Sequence, residues 1–282
     1  KIIFISNLNY VNIISLISLI NLNKIKVILT ERSSISELKY SNNLIDKLKN
    51  ELIYFFAKNL YKFSDLIVTN SKFEKNFIKN KFQLNNVICI HPPSIKNIIK
   101  RNFNKKSKKM LNIIYVGRLA KEKGVFIILK ALKNLTKKYK FSLNLYGDGP
   151  EKKSIEEFIK INNLNNKIFL KSFEKNKNSI FKNADLFINA SLWEGLPNAL
   201  VQSINYNVYP ICSDAPGGNM EVIKNGNLGL YFKTNNEIDL QKKIKKFFNK
   251  KLKLNKKNRI KHLHNYTELK SNLRYLKTLN KF

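Results

Sequence analysis

The feature that most limits what this chain can fold into is a sustained alternation of short apolar runs with longer amphipathic ones. Residues 2–6 read as a buried strand, and residues 10–22 as a helix buried on most sides through Ile13, Ile14, Leu16, Ile17, Leu19 and Ile20. Residues 26–30 give a second strand, which ends at Glu31-Arg32. Residues 43–62 give a long helix with Leu44, Ile45, Leu48, Leu52, Ile53, Phe56 and Leu60 on one face. A third strand at 65–69 leads into Ser71-Lys72-Phe73-Glu74, whose Ser-x-x-Glu spacing is that of a capping box opening a short helix. Residues 87–90 form a fourth strand, closed by Pro92-Pro93. Strands that alternate with helices must be joined by crossovers, so this half predicts a parallel sheet in a doubly wound α/β domain.

After Pro93 the chain is polar, basic and without period, and residues 96–110 read as a linker. A second alternation follows. Strands are expected at 111–116, 141–146, 167–170, 185–189, 208–213 and 229–232. Helices are expected at 124–138, 151–162, 177–183, 197–206, 219–224 and 236–250. Six strands with crossovers make a complete Rossmann-like domain over 111–250. Residues 1–95 supply only four strands where such a half normally has six or seven. Two or three leading strand–helix units are therefore expected to be absent, in keeping with a chain that opens on Lys1 rather than Met. Residues 251–282 hold a basic segment and a terminal helix with Leu269, Leu273 and Leu276 at helical spacing. This helix is expected to return to the N-terminal domain.

The net charge of +34 raises nucleic acid or an anionic membrane as partners. Lysine is spread over the whole chain rather than gathered in one block, which reads as a solvated surface built from a Lys-, Asn- and Ile-rich codon bias. A zinc finger, an aromatic-plus-Arg RNA motif and a compact helix-turn-helix signal are all missing, so nucleic acid is set aside. A peripheral contact with an anionic membrane stays open, through the lysines on helices 43–62 and 242–250 and the apolar residues Ile244, Phe247, Phe248 and Leu252 between them. No apolar run reaches the ~18 residues of a membrane span. Cys89 and Cys212 lie in apolar runs without a Cys or His at metal spacing, and read as buried thiols of a reducing, cytoplasmic compartment. There is no Asp-x-Asp pair, so no metal clamp and no cofactor is expected.

The chemistry sits in turns. Val116-Gly117-Arg118 through Lys123-Gly124 puts two cations at the carboxyl end of a strand, where open α/β sheets bind ligands. Arg118 by its fork and Lys123 as a point charge can neutralise a diphosphate. Tyr146-Gly147-Asp148-Gly149-Pro150 is a second strand-to-helix turn, and Lys171-Ser172-Phe173-Glu174 a third. In Ser191-Leu192-Trp193-Glu194-Gly195-Leu196-Pro197-Asn198 a carboxylate stands just ahead of a helix whose first amides favour an anion. Asp214-Ala215-Pro216-Gly217-Gly218-Asn219-Met220-Glu221 is a further turn on the same sheet edge.

In order, these motifs resemble the retaining GT-B glycosyltransferases of family 4 (glycosyl transferases group 1): Gly-Arg-Leu…Lys-Gly, Tyr-Gly-Asp-Gly-Pro, Trp-Glu-Gly-Leu-Pro-Asn and Pro-Gly-Gly-Asn-Met-Glu. The likeness is strong over 111–232 and weaker over 1–95. Trp-Glu-Gly-Leu-Pro-Asn followed by Val-Gln-Ser resembles the branch that adds hexose or N-acetylhexosamine to lipid-linked oligosaccharides and surface polysaccharides. The resemblance implies two Rossmann-like domains facing across a cleft, an acceptor-side first domain that is incomplete here, and a donor-binding second domain. It implies a nucleotide-sugar donor, UDP- or GDP-linked, and a glycan or lipid-linked acceptor. The expected location is cytoplasmic, with the lysine-rich helices open to peripheral contact with the inner face of the cytoplasmic membrane, where a lipid-linked acceptor would lie.

Carried over position by position, Arg118 and Lys123 would bind the diphosphate, and Glu194 the hydroxyls of the donor sugar. Gly117, Gly195, Leu196, Pro197, Asn198, Gly217 and Gly218 would line the donor site, with Phe173 at the base. The family's second Glu, expected on the ribose, falls at Gln202, which keeps an acceptor but loses the charge. Arg32 stands where many members carry a His, so Glu31 or Arg32 is the acceptor-side candidate. The implied reaction is metal-independent transfer with retention of anomeric configuration. The short first domain leads us to expect a fragment that is inactive or poor on its own; a binding relative without turnover is the alternative.

Overall fold

The computed structural model describes residues 2–22, 24–39, 44–100, 110–250 and 252–282. Two parallel sheets result. The first orders β1 (Ile2–Asn7), β2 (Ile25–Glu31), β3 (Leu66–Thr69) and β4 (Val87–Cys89) side by side, all parallel. They are connected by α1 (Asn9–Leu19), α2 (Leu44–Leu60) and α3 (Lys72–Lys81). Val27, Leu29 and Ile67 from the strands meet Ile13, Leu16, Ala57, Tyr61 and Ile78 from the helical layer in one core. Asn43, the expected start of the second helix, is outside the described residues.

The second sheet orders β10 (Leu230–Phe232), β9 (Tyr209–Ser213), β8 (Leu186–Asn189), β5 (Leu111–Val116), β6 (Phe141–Tyr146) and β7 (Ile168–Lys171). Its helices are α4 (Val125–Lys133), α5 (Lys152–Ile161), α6 (Lys177–Phe181), α7 (Asn198–Asn205), α8 (Asn219–Val222) and α9 (Glu237–Lys250). The strand order reverses between β5 and β8. At such a switch point the connecting helices leave to opposite faces and open a crevice at the carboxyl ends of the strands. The sequence places the Gly117–Arg118 turn and the Ser191–Glu194 turn after these two strands.

Several faces differ from their expectation. The helix at 10–22 is buried on one side only: Ile13 and Leu16 are inside, while Tyr10, Ile14, Ile17 and Ile20 are exposed. On α2 only Ile53 and Leu60 of the expected stripe pack against the core, and Leu44, Ile45, Leu48, Leu52 and Phe56 face solvent. The small Ala57, together with Tyr54, lies on the packed side. Strand β1 is an edge, with Ile2, Phe4 and Ile5 exposed. In the capping box, Ser71 Oγ accepts from Glu74 N at 3.3 Å as expected. The Glu74 side chain does not return to the cap; its Oε1 accepts from Ile35 N at 3.0 Å, deep in the core.

Residues 101–109 of the expected linker lie outside the described residues. The segment after β4 crosses to the second lobe, where Ile95 joins its core and forms an isolated parallel bridge with Thr267. The chain then ends with α10 (Lys256–Leu263) and α11 (Glu268–Leu279). Leu269, Leu273 and Leu276 of α11 are exposed; the other side of the helix packs Tyr275 and Leu279, with Phe282, against Ile28, Leu66, Val68 and Ile90 of the first lobe. Ile244 and Phe247 of α9 are core residues beneath α4, with Phe248 and Leu252 beside them. The four apolar residues expected to face a membrane are therefore packed in or against the core, while Ile238 of the same helix is exposed. Among the described residues no helix is long and apolar enough to cross one.

Candidate active site

The turn after β5 is shaped by Tyr115, whose hydroxyl donates to Arg118 O at 2.6 Å. It runs into a 3-10 turn at Lys121–Lys123 and then to Gly124, which sits at φ +63 against the Ala190 carbonyl. A Cβ there would meet that carbonyl, and the left-handed conformation independently favours glycine. Leu192 N donates to Glu122 O at 2.8 Å, so the β5 and β8 turns are bonded to each other. This brings Lys123 Nζ within 2.9 Å of Glu194 Oε1, which also accepts from Ser191 Oγ at 2.6 Å. Arg118 pairs with Glu122 instead, through Nη2 and Oε1.

The turn at 214–218 backs this set rather than lining it. Glu194 N donates to Pro216 O at 3.0 Å and Gly218 N to Gly195 O at 2.9 Å. Gly217, at φ +121, lies so close under the Glu194 carbonyl that any side chain would displace it. Helix α7 opens with Pro197 at its N-cap and without a side-chain cap. Its first amides are thus presented to the crevice as an anion site.

Three adjoining cavities follow the crevice. One of about 390 Å³ spans both lobes, with Arg32, Ser33 and Glu37 on one wall and Arg118, Glu122, Lys123, Trp193, Glu194, Gly195 and Leu196 on the other. A second, about 220 Å³, shares Lys123, Glu194 and Leu196 with it and continues over Gly117, Pro197, Asn198 and Ala199. The third, about 410 Å³, runs from Gly117 and Arg118 over Gly147 to Phe173 and Ile180. The expected residues Gly117, Arg118, Lys123, Phe173, Glu194, Gly195, Leu196, Pro197 and Asn198 are therefore gathered around three cavities that share lining residues.

Four expected residues lie outside the cavities: Gly217 and Gly218 behind the Glu194 turn, and Glu31 and Gln202 turned to other partners. Glu31 is turned into the core, 1% exposed, and accepts from Asn12 Nδ2 at 2.8 Å and from the Tyr61 hydroxyl. Burial pushes its carboxyl up to about 8, against the lowering effect of the Tyr61 bond. Of the pair, only Arg32 reaches the crevice. Gln202 lines none of the three cavities; its Nε2 donates to Ser94 O at 3.1 Å, a bond a glutamate could not make. Asn198 Oδ1 accepts from Ser94 Oγ at 2.7 Å, so the crossing segment is stitched to α7 at two points. Cys212 is buried, whereas Cys89 is only half-buried; burial pushes the Cys89 thiol up to about 12. Among the described residues, no three His, Cys, Asp or Glu side chains converge as a metal site.

Sequence reasoning did not anticipate Ser191, Glu122 or Asn70 as parts of the site. Ser191 stands three residues before Glu194 and could have been found by that spacing. Asn70, whose side-chain amide bonds Arg32 O beside Gly195, carries no local signal because its partner is 38 residues away.

Two parallel α/β lobes with a ligand crevice at a switch point are the GT-B arrangement, and solved structures agree. HepE of Anabaena, solved in complex with UDP, superposes with a TM-score of 0.77 at 15% identity over 100% of this chain and 79% of that one. The profile of the glycosyl transferases group 1 matches residues 95–264, and the chain belongs to that family. An uncharacterized glycosyltransferase of Methanocaldococcus jannaschii is 31% identical over 72% of this chain and 53% of its own length. The N-acetylgalactosamine-N,N'-diacetylbacillosaminyl-diphospho-undecaprenol 4-alpha-N-acetylgalactosaminyltransferase of Campylobacter jejuni is 28% identical over 87% of this chain and 66% of its own length. The chain thus spans between half and two thirds of these curated relatives.

Proposed function

We propose that the chain belongs to an enzyme that transfers a hexose or N-acetylhexosamine from a nucleotide sugar to a glycan or lipid-linked glycan, with retention and without a metal ion. The observation that carries this reading is the Lys123–Glu194–Ser191 set at the mouth of α7, in a cavity walled by both lobes. Residues 1–95 act as the acceptor-side domain and 111–250 as the donor domain. Arg118, Lys123 and the first-turn amides of α7 take the diphosphate of a UDP- or GDP-linked donor. Glu194 Oε1 is held by Ser191 and Lys123, and Oε2 is left for sugar hydroxyls. Phe173 stacks on the base, and Arg32 faces the acceptor.

In the reaction the acceptor hydroxyl attacks C1 from the face that the diphosphate leaves. The C1–O bond to phosphate breaks through an oxocarbenium-like state, the cations neutralise the departing oxygen, and that oxygen takes the acceptor's proton. A UDP donor is supported by the UDP bound to the Anabaena neighbour, and a lipid-linked acceptor by the name of the Campylobacter relative. The exposed apolar residues of α2, interleaved with Lys47, Lys49 and Lys58, support peripheral contact with the anionic inner face of the cytoplasmic membrane. Flotation with anionic liposomes at moderate salt checks this contact, and absence of binding refutes it.

The functional test is transfer from labelled UDP- and GDP-sugars to lipid-linked acceptors by the full-length protein, with Glu194→Ala as control. Loss of transfer in the variant is the expected result. The Gln202–Ser94 bond favours one second reading, a binding relative without turnover, because it withdraws the expected ribose ligand. That reading is correct if the native protein retains sugar nucleotide or polysaccharide but transfers nothing.

A further inference from the structure

The two lobes are joined not only by the chain but by one carboxylate. Glu221 lies on α8 of the second lobe, three residues beyond Gly218, yet its side chain is bonded entirely to other elements. Its Oε2 accepts from Lys72 N, the first residue of α3 in the first lobe, at 2.7 Å. Its Oε1 is 2.7 Å from His91 Nε2 in the crossing segment after β4. The His91 ring is 4% exposed, rests on Tyr266 with centroids 4.8 Å apart, and turns Nδ1 toward Arg274 of α11 at 3.4 Å. First lobe and crossing segment thus meet on the Glu221 carboxylate, and the terminal helix joins them through His91. Burial opposes the charge on Glu221, but the His91 bond and charge, with Lys72, hold its carboxyl below the ordinary value.

The other side of α8 is fixed to the active-site turn. Asn219 Nδ2 donates to Ser213 O at 3.0 Å and to Ser213 Oγ at 3.1 Å, and Ser213 Oγ donates to Ser191 O at 2.6 Å. Gly218 N holds Gly195 O, and Pro216 O holds Glu194 N. Every step between Glu221 and Glu194 is therefore a backbone connection or a buried hydrogen bond, with no freely rotating link. If the lobes separate, Glu221 must either lose its partners or pull α8 and the 216–218 loop away from Glu194.

We propose that Glu221 is a positioning residue: it couples closure of the two lobes to the placement of Glu194. The functional consequence rests on the reading of Glu194 as the donor-sugar ligand; the coupling itself does not. The test is amide hydrogen exchange on the native protein, Glu221→Ala and Glu221→Gln, with no ligand present. In Glu221→Ala, exchange is expected to speed by about tenfold or more in the first turn of α3, and also at Glu194–Leu196, from loss of a charge-assisted bond. Strands β5 and β6 should keep their native rates. Glu221→Gln keeps an acceptor for Lys72 N and should restore most of the protection.

His91→Phe removes the Oε1 partner while keeping a ring against Tyr266, and should reproduce the faster exchange at Glu194–Leu196 even if Glu221→Ala folds poorly. A purely local role would speed α3 and leave Glu194–Leu196 unchanged, and that result overturns the proposal. Equal acceleration through β5 and β6 in both variants overturns it too, since it describes general loosening. Failure of the functional reading shows separately, as UDP-sugar binding that ignores Glu194→Ala. Where transfer is measurable, turnover should fall in Glu221→Ala while UDP affinity stays within about twofold, because the phosphate ligands lie wholly within the second lobe.

Discussion

Replacing Arg259 by methionine is expected to destabilise the second lobe through lost hydrogen bonds alone. The side chain is fully buried and has no carboxylate partner among the described residues. Its Nη1 donates to Ile204 O at 3.2 Å and Asn205 O at 2.7 Å, and its Nη2 to Ile99 O at 2.9 Å. Ile204 O and Asn205 O stand at the end of α7, where the helix dipole also favours a cation; Ile204 O also accepts from Asn207 N at 3.0 Å. Methionine fills a similar volume but leaves Asn205 O and Ile99 O without this donor, at roughly 1–3 kcal/mol each, while Ile204 O keeps Asn207 N. Removing an isolated buried cation returns part of this, because its desolvation is no longer opposed. The net expected loss is about 1–4 kcal/mol, read as a lower urea midpoint with the slope unchanged. Arg259→Lys should recover only part, since one ammonium cannot reproduce the planar fork. A methionine variant as stable as the native chain would refute the reasoning, by showing that desolvation cancels the three bonds.

Three further outcomes follow from the geometry. Gly195→Ala drives a methyl into the Arg32 carbonyl of the facing lobe, so turnover should fall by about a hundredfold with UDP affinity nearly kept; calorimetry and a transfer assay separate the two effects. Gly217→Ala strikes the Glu194 backbone within the donor lobe itself, and should lower affinity and turnover together. Glu31 and Glu74, pushed up by burial to about 8 and about 7, bind protons in the folded state that the unfolded chain releases near its ordinary value of 4.5. Their contribution is therefore complete below pH 4.5 and is lost as pH rises through 7 to 8. Thermal melts across that window should show this fall, and Glu31→Gln should flatten it; a native profile that rises steadily through the window would contradict the assignment.

The strand–helix alternation was legible because a sheet strand and a surface helix impose different apolar periods on the residues themselves. What periodicity could not decide was which apolar face is buried. On α2 and α11 both faces carry large apolar residues, and the side with Ala57 or Tyr275 packs while the leucine-rich side stays in solvent. The site was legible where its parts are local turns, as at Gly117–Arg118 and Glu194–Asn198. It was illegible where a side chain chooses a distant partner. Gln202 bonds Ser94 from 108 residues away and Glu221 bonds His91 from 130, and no spacing rule reports such pairs. Glu31 misled because its neighbour Arg32 faces the crevice, and adjacent residues on a strand point to opposite sides.

The most direct test is calorimetric titration of the protein with UDP and with UDP-hexoses, alongside Lys123→Ala and Glu194→Ala. Lys123→Ala should weaken UDP itself by about tenfold to a hundredfold. Glu194→Ala should leave UDP binding intact and abolish the additional affinity contributed by the sugar. If Glu194→Ala binds UDP-hexose as the native protein does, Glu194 does not read the sugar and the central claim fails.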